Sequence, residues 1–337
     1  MRIGVLGAGS WGTALAHHWA EAGHEVILWG RNPEWVEELR RTRENAAYLP
    51  GIRLPESLGV THRLEDLASS EVLAVVVPSH GYRSVLRRCL AVLPKTAGPL
   101  TVLSATKGIE TESLERMSQV TTDEAGDVGR EVDFAVLTGP TFAAELVRGS
   151  PTAAVVAAHR SEVAERLREA LSSPTFRLYS STDVVGVELG GTSKNVIAIA
   201  AGLVHGLELG HNTVAALLTR GLHEITRLGV ACGGLPRTFA GLAGMGDLVL
   251  TCTGGLSRNR RLGMALAEGR TPEEISSSTP MVAEGFRNSL AIARLAARHS
   301  VEMPITEQMV EILHHGKPPR QAVAELMGRE LRSEEEF

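Results

Sequence analysis

The chain begins with a short apolar run, residues 2–6, that leads directly into a glycine-rich turn at residues 7–12 and then into a helix-type stretch. Glycines spaced as G-x-G-x-x-G permit a tight turn and let the backbone approach a pyrophosphate, whose charge is met by the helix N-terminus. Between a strand and a helix this pattern predicts a dinucleotide site more strongly than it predicts a purely structural turn. The first candidate cofactor-binding residues are Gly7, Gly9, Ser10, Trp11 and Gly12.

The second predicted strand, residues 25–29, is followed by Arg31 and by no carboxylate. An NAD-selective site usually has Asp or Glu here to bind the ribose hydroxyls, whereas arginine suits a ribose 2′-phosphate. We therefore expect the protein to accept NADP. The alternative interpretation is a solvated arginine at the end of a strand.

The first half of the chain alternates short apolar runs with longer amphipathic stretches, which predicts a mostly parallel sheet covered by helices. The predicted strands are residues 2–6, 25–29, 72–77, 100–104, 133–137, 152–157 and 175–179, and the predicted helices between them are 11–22, 33–41, 82–93, 112–123 and 161–171. Beyond Thr182 only helical periodicity is found, at 194–204, 214–228, 261–268, 286–299 and 305–313. The sequence predicts an α/β fold with a Rossmann-type domain over residues 1–181 and an all-α domain over residues 182–337.

Composition excludes several classes of protein. The 34 Lys and Arg residues are outnumbered by 39 Asp and Glu, and the resulting net charge of −5 argues against nucleic acid as a partner. Three cysteines without a C-x-x-C pair, and histidines without H-x-x-x-H spacing, predict no disulfide framework and no metal site. Apolar stretches fall short of the roughly 20 residues of a membrane span, and the N-terminus does not resemble a cleavable signal. We expect a cytoplasmic protein without a transmembrane segment.

Three segments contain more polar and glycine residues than packing requires: residues 104–110, 139–145 and 244–259. The first two follow predicted parallel strands, and open α/β sheets bind ligands at the carboxyl ends of such strands. In the third, Ser257 is placed as a helix N-cap with Arg258 and Asn259 in the first turn. A helix N-terminus together with a guanidinium group predicts a phosphate site.

Lys194 is one of only four lysines in a chain with thirty arginines. The sequence places it in the opening turn of a buried helix, where both the helix dipole and burial would lower its pKa towards the range of a proton donor and acceptor. The alternative is a lysine whose ammonium group lies in water. Lys95 and Lys317 are interpreted as surface charges, and His205 and His211 as weak candidates for lining a cleft.

Taken together, these motifs resemble those of the bacterial biosynthetic NAD(P)-dependent sn-glycerol-3-phosphate dehydrogenases. The similarity extends over nearly the whole chain in the same order: GAGSWGTALA at 7–16, ATKGIE at 105–110, GPTFA at 139–143, KNV at 194–196, ALLTRG at 216–221, GLAGMGDL at 241–248 and SRN at 257–259. The resemblance implies reversible reduction of dihydroxyacetone phosphate by NAD(P)H, without a metal, to give sn-glycerol 3-phosphate, a precursor of phospholipids.

The resemblance also assigns roles to individual residues. Lys194 is implied as the proton donor and acceptor, with Asp247 holding it and Lys107 adding positive potential. The implied cofactor contacts, in addition to the glycine-rich turn, are Arg31, Lys107, Ala143, Arg258, Val282 and Glu284. The implied substrate contacts are Lys107, Gly139, Thr141, Lys194, Asp247, Ser257, Arg258 and Asn259.

Two other functions stay open from the sequence. One is a related dehydrogenase that acts on an acyl-CoA or on 6-phosphogluconate, although a hydroxyacyl-CoA enzyme would be expected to use a His–Glu pair where this chain has Lys194-Asn195. The other is a non-catalytic sensor that binds NADPH and a phosphate ligand. The preference between NADH and NADPH and the oligomeric state, with a homodimer as one option, are also left open.

Overall fold

A computed structural model describes residues 1–94, 100–277, 283–331 and 333–334. Its centre is an eight-stranded sheet with the strand order β3-β2-β1-β4-β5-β6-β7-β8. The strands are β1 (Arg2–Leu6), β2 (Glu25–Trp29), β3 (Gly59–Thr61), β4 (Val72–Val75), β5 (Leu100–Ser104), β6 (Val132–Thr138), β7 (Thr152–Ala158) and β8 (Phe176–Ser181). Neighbouring strands are parallel except β6 and β7, so the predicted mostly parallel sheet is confirmed.

Helices cover the sheet and form most of the second half of the described chain. In the first half they are α1 (Ser10–Glu21), α2 (Pro33–Thr42), α3 (Ser79–Val92), α4 (Met117–Asp127), α5 (Ala143–Leu146) and α6 (Ser161–Leu171), with a 3₁₀ turn at Leu64–Leu67. In the second half they are α7 (Val184–Gly206), α8 (Gly210–Ala231), α9 (Pro236–Phe239), α10 (Asp247–Thr253), α11 (Arg258–Ala267), α12 (Pro272–Ser277), α13 (Glu284–Arg298), α14 (Pro304–His315) and α15 (Pro319–Met327). A π-helical turn, Leu242–Gly246, precedes α10.

Several predicted elements differ from the observed ones; the helix predicted at 194–204, for example, is part of the longer helix α7. The predicted helix at 112–123 is wrong at its start, because Ile109 and Arg116 form an antiparallel bridge and the chain between them turns back on itself. The Glu110 backbone N–H donates to the Glu115 carbonyl at 2.9 Å, so α4 begins only at Met117. The edge strand β3 was not predicted, since three residues are too few to show a strand period.

The long helix α7 forms the centre of the second half. Asp183 caps it, since its side chain accepts the Gly186 N–H at 2.8 Å, and most of its 23 residues are buried. Helix α11 approaches it very closely: a Cβ added to Gly202 would lie 2.0 Å from the Arg260 carbonyl oxygen. The glycines of α7 therefore serve packing, although glycine disfavours helix formation.

The last strand ends at Ser181 and α7 begins at Val184, close to the limit predicted between the two domains. Val184 and Val187 nevertheless belong to the same apolar cluster as residues of β4, β5 and β6. The first turn of α7 is thus packed against the sheet, and the division into two domains stays a prediction. No single helix of the described chain is long and apolar enough to span a membrane. Two helical segments joined by a bend, Pro236–Thr253 and Arg258–Ala267, are together long and apolar enough, by length and composition only.

Candidate active site

The glycine-rich turn after β1 is built so that only glycine fits at two of its positions. Gly7 has φ of +117°, and a Cβ added there would lie 2.5 Å from the Val76 carbonyl oxygen. A Cβ added to Gly12 would lie 1.9 Å from the Gly7 carbonyl oxygen. At Gly9 an added Cβ would meet no atom within 4 Å, so the space above this residue is open. The turn therefore leaves room for a pyrophosphate at the N-terminus of α1, as a dinucleotide requires.

The other predicted cofactor residues surround this turn. Ser10 begins α1, and the buried indole Nε1 of Trp11 has no hydrogen-bond partner among the described residues. Arg31 is exposed just beyond β2, and Ala143 begins α5. Glu284, the first residue of α13, accepts a hydrogen bond from the Ser79 hydroxyl at 3.0 Å. Val282 lies outside the described residues.

Lys194 is the eleventh residue of α7 and lies near the middle of this helix, so the predicted placement in an opening turn is wrong. Its dipole argument fails with it, because the dipole acts only near a helix terminus. The side chain is buried, with 6% exposure, and its Nζ donates to Asp247 Oδ1 at 2.7 Å and to Thr251 Oγ1 at 2.5 Å. The ammonium group is thus held between a carboxylate and a hydroxyl group.

Asp247 connects the two halves of the chain. Its second oxygen, Oδ2, accepts a hydrogen bond from Lys107 Nζ at 2.7 Å, while Oδ1 binds Lys194. Asp247 follows directly on the π-helical turn, a feature often found at functional sites. The turn lies against α7 because Gly190 allows contact, since a Cβ there would lie 2.7 Å from the Ala243 carbonyl oxygen.

The segment that holds Lys107 follows β5 at the carboxyl edge of the sheet. Asn288 of α13 donates to the Lys107 carbonyl oxygen at 3.2 Å, and Lys107 Nζ also donates to the Gly139 carbonyl oxygen at 3.3 Å. Farther along, Glu110 forms a salt bridge with Arg83 of α3 at 2.8 Å. These contacts fix the lysine in the position from which it reaches Asp247.

The charges of this cluster shift one another's protonation. Burial lowers the pKa of Lys194 from 10.5 to about 8; the charge of Lys107 acts in the same direction, and the charge of Asp247 opposes it. Burial alone would raise the pKa of Asp247, but the charges of Lys107 and Lys194 outweigh burial and keep that pKa below its usual value. One carboxylate and two ammonium groups leave a net positive charge at the site.

The remaining predicted substrate residues lie in the loop after β6 and at the start of α11. The Thr141 hydroxyl donates to the Gly139 carbonyl oxygen at 3.2 Å within the loop after β6. Ser257 caps α11 by accepting the Arg260 N–H, as predicted, and Arg258 is exposed in the first turn. Asn259 is buried, and its amide bridges Asn195 Oδ1 at 2.9 Å and the Gly285 N–H at 3.1 Å. It therefore ties α11 to α7 and α13.

Sequence reasoning missed Thr251, which the structure places on Lys194. The available signal was its spacing of four residues from Asp247, which sets both side chains on one face of α10.

The other histidine and lysine candidates lie away from this cluster or outside the described residues. His205 and His211 are exposed at the end of α7 and the start of α8. Lys317 is not a free surface charge, because its Nζ donates to Glu325 at 2.8 Å and its side chain is 17% exposed. Lys95 lies outside the described residues, which contain no group of three or more metal-ligating side chains.

Comparison with known proteins identifies the relatives of this arrangement. Residues 2–164 match the N-terminal family of NAD-dependent glycerol-3-phosphate dehydrogenases, and residues 183–324 match the corresponding C-terminal family. The chain belongs to the NAD-dependent glycerol-3-phosphate dehydrogenase family. Glycerol-3-phosphate dehydrogenase [NAD(P)+] from Geobacter sp. (strain M21) is 51% identical over 334 residues, covering 99% of this chain and 98% of the relative. The corresponding enzyme of Nitratidesulfovibrio vulgaris (strain Hildenborough) is 50% identical over 335 residues, covering 99% of this chain and all of the relative.

Solved structures extend the similarity to the fold. The crystal structure of glycerol-3-phosphate dehydrogenase from Coxiella burnetii superposes with a TM-score of 0.92 at 40% identity, covering 97% of this chain and 99% of that one. Family membership confirms the predicted resemblance and the NAD(P)-dependent oxidoreductase class. The roles of the individual site residues stay predictions.

Proposed function

We propose that this member of the glycerol-3-phosphate dehydrogenase family reduces dihydroxyacetone phosphate reversibly to sn-glycerol 3-phosphate with NAD(P)H. The observation that carries the proposal is the buried Lys194 ammonium, held by Asp247 and Thr251 next to the carboxyl edge of the sheet. A group with a pKa of about 8 is mostly protonated near neutral pH and still releases its proton readily.

Reduction of a ketone to an alcohol needs one hydride and one proton. A nicotinamide cofactor, which the glycine-rich turn would hold through its pyrophosphate, would supply the hydride. Lys194 donates its proton to the carbonyl oxygen as negative charge develops there, and the neutral amine then takes a proton from solvent. In the reverse direction the neutral amine accepts the proton of the hydroxyl group, so one residue serves both directions.

Asp247 and Lys107 have separate parts in this scheme. Asp247 orients Lys194 through a 2.7 Å hydrogen bond and keeps its ammonium form available. Lys107, on the other oxygen of Asp247, adds positive potential that stabilises a developing alkoxide. The net positive charge of the three groups suits a substrate that carries a phosphate.

The first turn of α11 is the proposed phosphate site. Ser257 accepts only one of the N–H groups at this terminus, that of Arg260, which leaves other backbone donors for an anion. Arg258, in the first turn of α11, supplies a guanidinium group of the geometry that binds phosphate. Binding energy from this remote group aligns the carbonyl with Lys194.

Turnover by the purified protein tests the proposal directly. Addition of dihydroxyacetone phosphate is expected to consume NADPH or NADH, and the product is identified as sn-glycerol 3-phosphate by mass and by chirality. Lys194→Ala should lose most of kcat with cofactor binding retained. Lys194→Arg should also lose it, because a guanidinium group keeps its proton at neutral pH. Binding of both ligands without consumption would support the sensor alternative, and wild-type turnover by either variant would refute the role of Lys194.

We propose the cytoplasm as the setting of this activity and the supply of the glycerol backbone of phospholipids as its role, with a homodimer as one option for the assembly. What supports the cytoplasmic setting is that all three cysteines are free. What supports the role as a supplier of lipid precursor is the glycerol-3-phosphate dehydrogenase name shared by the relatives. Light scattering of the purified protein measures the oligomeric state, and a mass of 36.0 kDa in solution would contradict a dimer.

A further inference from the structure

Arg31 and Arg287, from separate parts of the chain, both lie within electrostatic range of His80. Arg31 follows β2, His80 is the second residue of α3, and Arg287 lies in the first turn of α13. All three residues are exposed. Within the described parts of the chain neither arginine forms a salt bridge. Arg31 and His80 follow strands of the sheet, whereas Arg287 comes from the helical half of the chain.

Contacts between α3 and α13 fix two of these residues near each other. The Ser79 hydroxyl donates to Glu284 Oε2 at 3.0 Å, which joins the first turns of the two helices. His80 is the next residue after Ser79, and Arg287 lies one turn beyond Glu284. Partial burial lowers the pKa of His80, and the positive charges of Arg287 and Arg31 lower it further. Both guanidinium groups therefore lie within electrostatic range of the imidazole.

The order of the strands places this cluster beside the ribose of a bound dinucleotide. Strands β2 and β4 flank β1, so the residues that follow them lie on either side of the turn after β1. The residue after β2 is the one that meets the adenosine ribose in this type of fold. Cations collected without salt-bridge partners repel one another, and an anion bound between them relieves that repulsion.

We propose that Arg287, from the helical half, binds the ribose 2′-phosphate of NADPH together with Arg31 and His80. This inference rests on one part of the proposed function, namely that a dinucleotide binds at the glycine-rich turn. Its consequence is that both halves of the chain set the preference between NADPH and NADH. Glu284 lies beside this group and attracts Arg287, while its carboxylate accepts a hydrogen bond from the Ser79 hydroxyl.

The test measures binding of adenosine 2′,5′-bisphosphate and of 5′-AMP by calorimetry, so that neither nicotinamide nor substrate takes part. Wild-type protein should bind the 2′-phosphorylated nucleotide more tightly. Arg287→Ala should lower this selectivity about tenfold, the size expected for one charged hydrogen bond of about 1.4 kcal/mol. Arg294→Ala is the matched control, because it removes the same charge from an exposed position two turns along α13.

The outcomes separate this proposal from the function above. Equal losses for both nucleotides, equal selectivity in Arg287→Ala and wild type, or the same loss in Arg294→Ala would overturn it. If Arg31 and Arg287 bind one phosphate, the selectivity loss in the double variant should differ from the sum of the single losses, and strict additivity would count against the shared site. Absence of dihydroxyacetone phosphate turnover would refute the proposed function and leave the nucleotide selectivities unaffected.

Discussion

Replacing Asp247 by asparagine tests the electrostatic core of the site, because this substitution removes one charge and almost no volume. Asp247 is 1% exposed and binds two ammonium groups, each at 2.7 Å. At an effective dielectric constant of about 20, a pair at that separation attracts with about 6 kcal/mol, and the desolvation of the charges offsets part of it. Removal of one partner of a buried pair typically costs about 3–5 kcal/mol.

Part of this cost appears as a change in the pKa of Lys194. If about 3 kcal/mol falls on Lys194, its pKa drops by about 2 units, because one unit corresponds to about 1.4 kcal/mol. The wild-type value is about 8, so the pKa of Lys194 in the variant would fall well below it. Ketone reduction needs the protonated lysine, so the rate falls as the pH rises through this pKa. The alkaline limb of kcat in Asp247→Asn should therefore move to lower pH.

The assay is the pH dependence of kcat for reduction at saturating cofactor and substrate. Asp183→Asn provides the control, since it removes another buried carboxylate, the cap of α7, that binds no lysine. That variant should lose thermal stability and keep the wild-type alkaline limb. An alkaline limb that does not move in Asp247→Asn, in a variant that is folded by circular dichroism, would refute the assignment of this limb to Lys194.

Two further predictions concern Thr251 and Glu224. Thr251→Val removes a hydrogen bond from the buried Lys194 ammonium group and should lower kcat about tenfold. Thr251→Ser keeps the hydroxyl group and should retain activity. A change in kcat below twofold for Thr251→Val would contradict this prediction. Glu224 is buried where it accepts the Ile305 N–H, and burial raises its pKa from 4.5 to about 7. The folded state then binds more protons than the unfolded state between these values, so the free energy of unfolding should fall as the pH rises from 4.5 to 7. Glu224→Gln should flatten this dependence in urea titrations, and an unchanged slope would contradict it.

Local patterns were enough to predict the sheet and the cofactor turn. The fold of residues 2–22 depends on contacts within the turn itself, such as that of Gly12 with the Gly7 carbonyl oxygen, and these leave a direct mark on the sequence. The order of strands and helices follows from their periods in the same way. The Ser257 cap was also predictable, because a cap is a contact over three residues.

Contacts between distant residues leave no such mark. Thr251 meets Lys194 across 57 positions, and Asn259 meets Asn195 across 64. The substrate contact expected of Asn259 stays a prediction, and the structure adds that its amide oxygen and nitrogen each form a hydrogen bond inside the protein. Polar type and proximity to a motif identify a residue of interest, and only the packed structure shows which of its atoms are free.

The placement of Lys194 shows how a local rule fails for a physical reason. Gly190 and Gly191 suggest a helix beginning just before Lys194, because glycine weakens a helix interior. In the structure both lie inside α7, where a side chain would collide with the Ala243 carbonyl oxygen or with Thr138. They permit the close approach of the π-helical turn and β6, and the turn brings Asp247 to the lysine. The same two glycines that obscured the start of the helix are thus what allows Lys194 to be buried against a carboxylate, and burial rather than the helix dipole lowers its pKa.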